Sequence, residues 1–157
     1  MKLDGPDRYY LVVPKGRFSI KTALGEHRLS QRATGQSPKL YVVHDHDRPI
    51  YVGITKQPIA ARLRFGWSAD GTHGYHGYAW RHRFKSVGLD VWYQSLAGSG
   101  GRLEDVETIE AEVVYLLRRR YRQWPECQTE IHFHQSTELH RKLAREIVAI
   151  YSKRHGA

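Results

Sequence analysis

The sequence predicts an α/β fold in which a small, mainly antiparallel sheet is flanked by helices. Three observations carry that expectation. Two short β-rich runs, Leu40-Tyr-Val-Val43 and Ile50-Tyr-Val-Gly-Ile54, are joined by the turn cluster His44-Asp-His-Asp-Arg-Pro49, which makes an antiparallel hairpin. Residues Leu103 to Tyr121 carry Val106, Ile109, Val113, Leu116 and Leu117 at helical spacing, so this segment is an amphipathic helix. Between and after these, strand-like and helix-like segments alternate in the order β-β-α-(α)-β-α-β-α.

Each element follows from local residue chemistry. Tyr9-Tyr-Leu-Val-Val13 is strand-like and is closed by Pro14. The polar stretch from Leu24 through Pro38 has too few apolar residues to bury much, so residues 1–38 read as an N-terminal extension that adds a strand rather than as a domain. Residues 39–157 read as the domain proper. Pro58 suits a first helical turn, with Ile59, Leu63 and Trp67 along one side and Gly66 and the Ser68–Thr72 segment ending it. Gly74 to Phe84 holds a short helix. Leu89 to Leu96 alternates as a third strand, Gly98-Ser-Gly-Gly101 is a loop, and Gln128 to His134 reads as a fourth strand. Ser136 or Thr137 caps a final helix whose buried stripe is Leu139, Leu143, Ile147 and Ile150.

Composition narrows the function. The chain has 157 residues, the length of one domain, with no apolar run near the roughly 18 residues that a membrane span needs. Its start has no signal-peptide core, and the lone Cys127 excludes an internal disulfide and fits a reducing cytoplasm. Net charge is +9 with ten histidines counted neutral. That excess points to a polyanionic partner, because each neutralised phosphate releases condensed counterions. No basic amphipathic helix suited to a membrane surface stands out.

Five features then fall in order: Tyr41 on one strand, Tyr51 and Gly53 on its partner, Arg62 on the next helix and Glu110 on the long helix. In this set the chain resembles the GIY-YIG nuclease superfamily. Lys39-Leu-Tyr41 stands where the family has its first element, and Tyr51-Val-Gly53 closely matches the second. Ile59-Ala-Ala-Arg62 looks like the turn that presents the catalytic arginine, and Ile109-Glu110-Ala-Glu-Val-Val114 like the metal-binding glutamate segment. The resemblance covers residues 39 to about 130. It implies a GIY-YIG-like fold and a cytoplasmic, metal-dependent DNA endonuclease that hydrolyses phosphodiester bonds. Tyr41 would be the general base, Tyr51 its partner, Arg62 the phosphate clamp and Glu110 the ligand of Mg²⁺ or Mn²⁺. Phosphodiester hydrolysis needs an activated water and neutralised phosphoryl oxygens, and a phenol with a pKa of about 10 needs a nearby cation such as Arg62 or Lys56 to act as base. The guanidinium forks onto phosphate, and a carboxylate suits hard Mg²⁺.

Two departures from the family stand out: the first motif keeps only its tyrosine, and the chain contains no asparagine where the family usually has one after the glutamate helix. Gln128 is the nearest substitute. Glu112 competes with Glu110, but lies about 200° further round the helix, away from the margin of the buried stripe. The segment from Gly74 to Phe84 interleaves aromatics with cations, as base stacking and phosphate contact require, so Tyr75, Arg81 and Arg83 join Lys56 and Arg64 as DNA-binding candidates. His76 is a candidate proton shuttle to the leaving group. His44 and His46 read as surface groups of a turn. Arg118, Arg119 and Arg120 sit near a helix C-terminus, where cations favour the macrodipole.

A non-enzymatic nucleic-acid-binding module with the same fold is the first alternative. A zinc-binding protein built on Glu130, His132 and His134 is the second, since all three would share one face of the fourth strand. No second DNA-reading domain is evident, so specificity would come from this domain, from homodimerisation or from an accessory partner.

Overall fold

The computed structural model describes residues 1–13, 17–95 and 102–152, with the backbone alone at His73. It is an α/β fold built on one five-stranded sheet of order β2-β1-β5-β3-β4 in which every neighbouring pair is antiparallel. The strands are β1 (Leu3–Val12), β2 (Ser19–Thr22), β3 (Lys39–Asp45), β4 (Arg48–Thr55) and β5 (Ser86–Gln94). The helices are α1 (Gln31–Thr34), α2 (Ile59–Ser68), α3 (Leu103–Tyr121) and α4 (Glu138–Ser152), with short 3₁₀ turns at Thr72–Gly74 and Ala79–His82. No helix among the described residues is long and apolar enough to cross a membrane.

Both faces of the sheet are covered, which is why β3 and β5 are buried along almost their whole length. Tyr9, Tyr41, Val43, Leu89 and Val91 project to one side, where Ile59 and Leu63 of α2 and Trp80 complete a core. Leu40, Val42, Val52 and Trp92 project to the other, against Val106, Ile109 and Val113 of α3 and Ala144 and Ile147 of α4. The expected hairpin is present with Tyr41 opposite Gly53, and its turn is the tighter Asp45–Arg48, with His46 at φ 51°.

The extension is part of the sheet. β1 pairs with β5 from Leu3 to Val12, interrupted by a bulge between Asp4 and Asp7, and β2 pairs with β1 in turn. Tyr9 and Leu11 are buried on it, and α1 is capped by the Ser30 hydroxyl, which accepts from the Ala33 amide at 3.2 Å. Pro14, Leu96 and Gly98–Gly101 lie outside the described residues.

Three expectations are corrected. Residues 128–134 form no strand. The open edge of β4 is met instead by a side chain: Gln128 Oε1 accepts from the Val52 amide at 2.9 Å and its Nε2 donates to the Val52 carbonyl at 3.1 Å, while the Cys127 amide donates to the Ile50 carbonyl. A side-chain amide thereby copies one ladder rung and the backbone need not supply the rest. The buried stripe of α4 is His140, Ala144, Ile147, Val148 and Tyr151, and Leu139 is exposed. Thr137 does cap this helix, its hydroxyl accepting from the His140 amide at 3.4 Å, and the His140 ring lies between Thr137 and Asp105, which turns the helix to that phase. His44 is buried rather than superficial, because Gly88 on β5 leaves its ring a place; a Cβ there would fall 2.1 Å from the imidazole.

Candidate active site

Because β4 is an edge strand, α2 on one face of the sheet and α3 on the other come together along its rim. Between them opens a cleft of about 600 Å³ lined by Tyr51, Arg62, Tyr75, His76, Glu107 and Glu110, with Thr129, Glu130 and His132 closing one side. Tyr51, Arg62, His76 and Glu110, four of the residues singled out from sequence, are thus brought together from four separate segments.

The tyrosines are arranged by Gly53. Tyr41 and Tyr51 lie on the same face of the hairpin with ring centroids 6.0 Å apart. A Cβ at position 53 would fall 2.6 Å from the Tyr41 hydroxyl and 2.8 Å from the Tyr51 ring, so the glycine is what lets both phenols lie over the strand. A third phenol completes the group: Tyr78 Oη is 3.0 Å from Tyr41 Oη, and its ring meets Tyr51 edge-on. Its partner is Gly66 of α2, where a Cβ would fall 2.2 Å from the Tyr78 ring. Gly66, expected from sequence to end the helix, lies inside its last turn, and a glycine within a helix is a signal for such a close approach.

Arg62 Nε donates to the Tyr41 hydroxyl at 3.4 Å, and its guanidinium carbon lies 5.7 Å from the Tyr78 ring centre. Tyr41 itself is 1% exposed and does not line the cleft, so its hydroxyl meets the open space through Arg62. Burial above all raises the phenols of Tyr51 and Tyr78 well beyond the ordinary range, so both are neutral hydrogen-bond groups near pH 7.

Glu110 faces Arg62 across the cleft and has no hydrogen-bond or ion-pair partner among the described residues. Burial, reinforced by Glu107 and Glu130 and opposed by Arg62, pushes its carboxyl up to about 8. Glu107, one turn earlier on α3, also lines the cleft but is held by His134 at 2.9 Å. Glu112 is half-buried and lies outside the cleft.

The remaining candidates are dispersed. Lys56 is exposed beyond β4, and Arg64 borders a separate hollow with Arg17, Phe18 and Trp67. Arg81 is engaged with the carbonyls of Gly66 and Ala69, tying the connection to the end of α2, and Arg83 is paired with Glu126. Tyr75 belongs to the cleft wall. The amide of Gln128 is committed to β4. His132 contacts Glu130 at 3.3 Å while His134 turns to Glu107, so the three residues of the zinc alternative do not converge. Among the described residues no three His, Cys, Asp or Glu side chains are grouped to enclose a metal ion.

Arg118 lies against Trp124 and Arg120 bonds Ser152. No family model, no curated protein and no solved structure matches the chain.

Proposed function

We propose that the chain is a metal-dependent DNA endonuclease of the GIY-YIG type that hydrolyses phosphodiester bonds in the cleft beside β4. The observation that carries the reading is the buried, unpartnered carboxylate of Glu110 set across from Arg62, with a net charge of +9 behind it. A carboxyl buried without a partner keeps its proton, as Glu110 does below about pH 8, unless a cation joins it and lets it ionise. One such ligand, with water and phosphate oxygens in the other positions, is how Mg²⁺ or Mn²⁺ is commonly held at phosphate sites. The residues therefore fit a divalent ion, which when bound would neutralise phosphoryl charge and lower the pKa of a coordinated water.

The chain's own groups have distinct tasks in this reading. Arg62 binds the scissile phosphate and is held in place by Tyr41. Tyr51 orients the attacking water from the cleft wall. His76, exposed on the opposite lip, passes a proton to the leaving oxygen. Tyr41 serves as support rather than as base, since a base must touch the water it activates and this phenol is out of reach.

The test is cleavage of labelled single-stranded and duplex DNA in Mg²⁺ and Mn²⁺. Arg62→Lys should lower the rate on the order of a hundredfold, because an ammonium cannot reproduce the planar fork. Glu110→Ala should abolish cleavage with DNA affinity changed by less than about twofold, one carboxylate being a small part of the electrostatic footprint. Full activity in Glu110→Ala would defeat the assignment.

A second reading, a binding module without turnover, is favoured by the commitment of the Gln128 amide to β4 and the absence of asparagine. It predicts salt-sensitive DNA binding with no cleavage in either metal.

A further inference from the structure

Phe65 is 56% exposed on α2, beside the charged cleft. It lies one turn after Arg62 on α2, so the two side chains share a face of the helix. Its ring is stacked on Tyr75, with centroids 5.2 Å apart and planes 13° from parallel. The Arg62 guanidinium carbon is 5.8 Å from the Phe65 centre and 5.6 Å from the Tyr75 centre. Near-equal distances to two rings in a stack put the guanidinium at the side of that stack, level with the space between them. One face of Phe65 is thus covered by Tyr75, its edge is next to the phosphate clamp, and the outer face is left to solvent.

We propose that Phe65 is a base-stacking platform, and that the cleft takes single-stranded or locally unpaired DNA, one base lying on the outer face of Phe65 while its own phosphate rests on Arg62. The placement of the phosphate rests on the nuclease reading above; the platform does not. In intact duplex both faces of every base are covered by neighbours, so a protein ring can stack only on a base that is unpaired, terminal or turned out of the helix. Every base has a π face, so such a platform selects strand state rather than sequence. Tyr75 behind Phe65 limits its rotation, which lowers the entropy lost when a base settles on it.

The experiment is equilibrium binding in metal-free buffer with two fluorescent probes, an oligothymidylate carrying one 2-aminopurine and a fully paired duplex of equal length. Stacking quenches 2-aminopurine directly. Wild type should prefer the single strand and quench the probe. Phe65→Ala should lose roughly 5- to 150-fold in affinity for the single strand, the range that one base–aromatic stack is worth, with little change for duplex. Phe65→Leu should behave like Phe65→Ala, and Phe65→Trp should retain both affinity and quenching. Since Phe65 is largely exposed, these variants keep the fold. Equal binding by wild type and Phe65→Ala, an unquenched probe, or failure of wild type to bind the single strand would overturn the proposal. Cleavage assays separate the two readings. Loss of stacking in Phe65→Ala from a protein that cleaves nothing leaves the platform and removes the nuclease. Metal-dependent cleavage by a protein indifferent to Phe65→Ala does the reverse.

Discussion

The carboxyl of Glu110 makes the stability of this protein depend on pH in a direction opposite to that of an ordinary ion-paired glutamate. It is 6% exposed and is raised from its usual 4.5 to about 8, first by burial. The folded state then holds the proton more tightly than the unfolded chain does. Stability contributed by this group is complete below pH 4.5, falls as pH climbs toward 8, and is level above it. At about 1.4 kcal/mol per pH unit the whole interval is worth at most about 5 kcal/mol, and water reaching the carboxylate from the cleft reduces that to about 2–4 kcal/mol. Glu110→Gln removes the titration and keeps the shape. Any cost of burying the amide is the same at every pH, so it cancels when two pH values are compared. Urea unfolding of both proteins should therefore show Glu110→Gln gaining about 2–4 kcal/mol on wild type between about pH 5 and pH 9. Mg²⁺ at a hundredfold its dissociation constant should return about 2.7 kcal/mol to the wild type at alkaline pH and nothing to the variant. A difference between the two proteins that does not change with pH would refute the reasoning, because it would mean that the carboxylate is already solvated or paired.

Two further perturbations probe the scaffold of the cleft. Gly53→Ala places a methyl group 2.6 Å from the Tyr41 hydroxyl, so the hairpin should lose about 1–3 kcal/mol in urea unfolding, and an unchanged midpoint would show that the phenols have room to move. Gln128→Ala deprives the Val52 amide of its acceptor and should cost about 1–3 kcal/mol while accelerating hydrogen exchange at Val52; protection as in wild type would mean that another group satisfies this edge.

Much of the fold is legible in the chain because it is encoded over short distances. The hairpin around Tyr41 and Tyr51 follows from two β-rich runs and the turn between them. The helices α2 and α3 follow from apolar spacing, Pro58 and the stripe from Val106 to Leu117. What was misread depends on partners far away in sequence. Residues 128–134 have a strand-like alternation, yet the Gln128 side chain and the Cys127 amide meet β4 in place of a ladder. The phase of α4 turned on a histidine that is buried only because Thr137 and Asp105 receive it. The strand read at Tyr9–Val13 is present, but β1 begins earlier, at Leu3, and β2 joins it, because the ladders with β5 and β1 hold segments whose own apolar content is low.

The candidate site divides in the same way. By itself the sequence singled out the candidate side chains: two tyrosines on paired strands, a glycine two residues after the second, an arginine one helix later and a carboxylate beside the apolar stripe of α3. Only the tertiary structure decided how these can act. It put Tyr51, Arg62, His76 and Glu110 on one cleft and left Tyr41 behind Arg62. It also committed Arg81 and Gln128 to backbone partners and exposed Phe65 beside Arg62. The physical reason is that side-chain type and helical or strand period are local properties of the chain. Burial, partnership and the charge state of Glu110 are set by the packing of α2 and α3 on opposite faces of one edge strand.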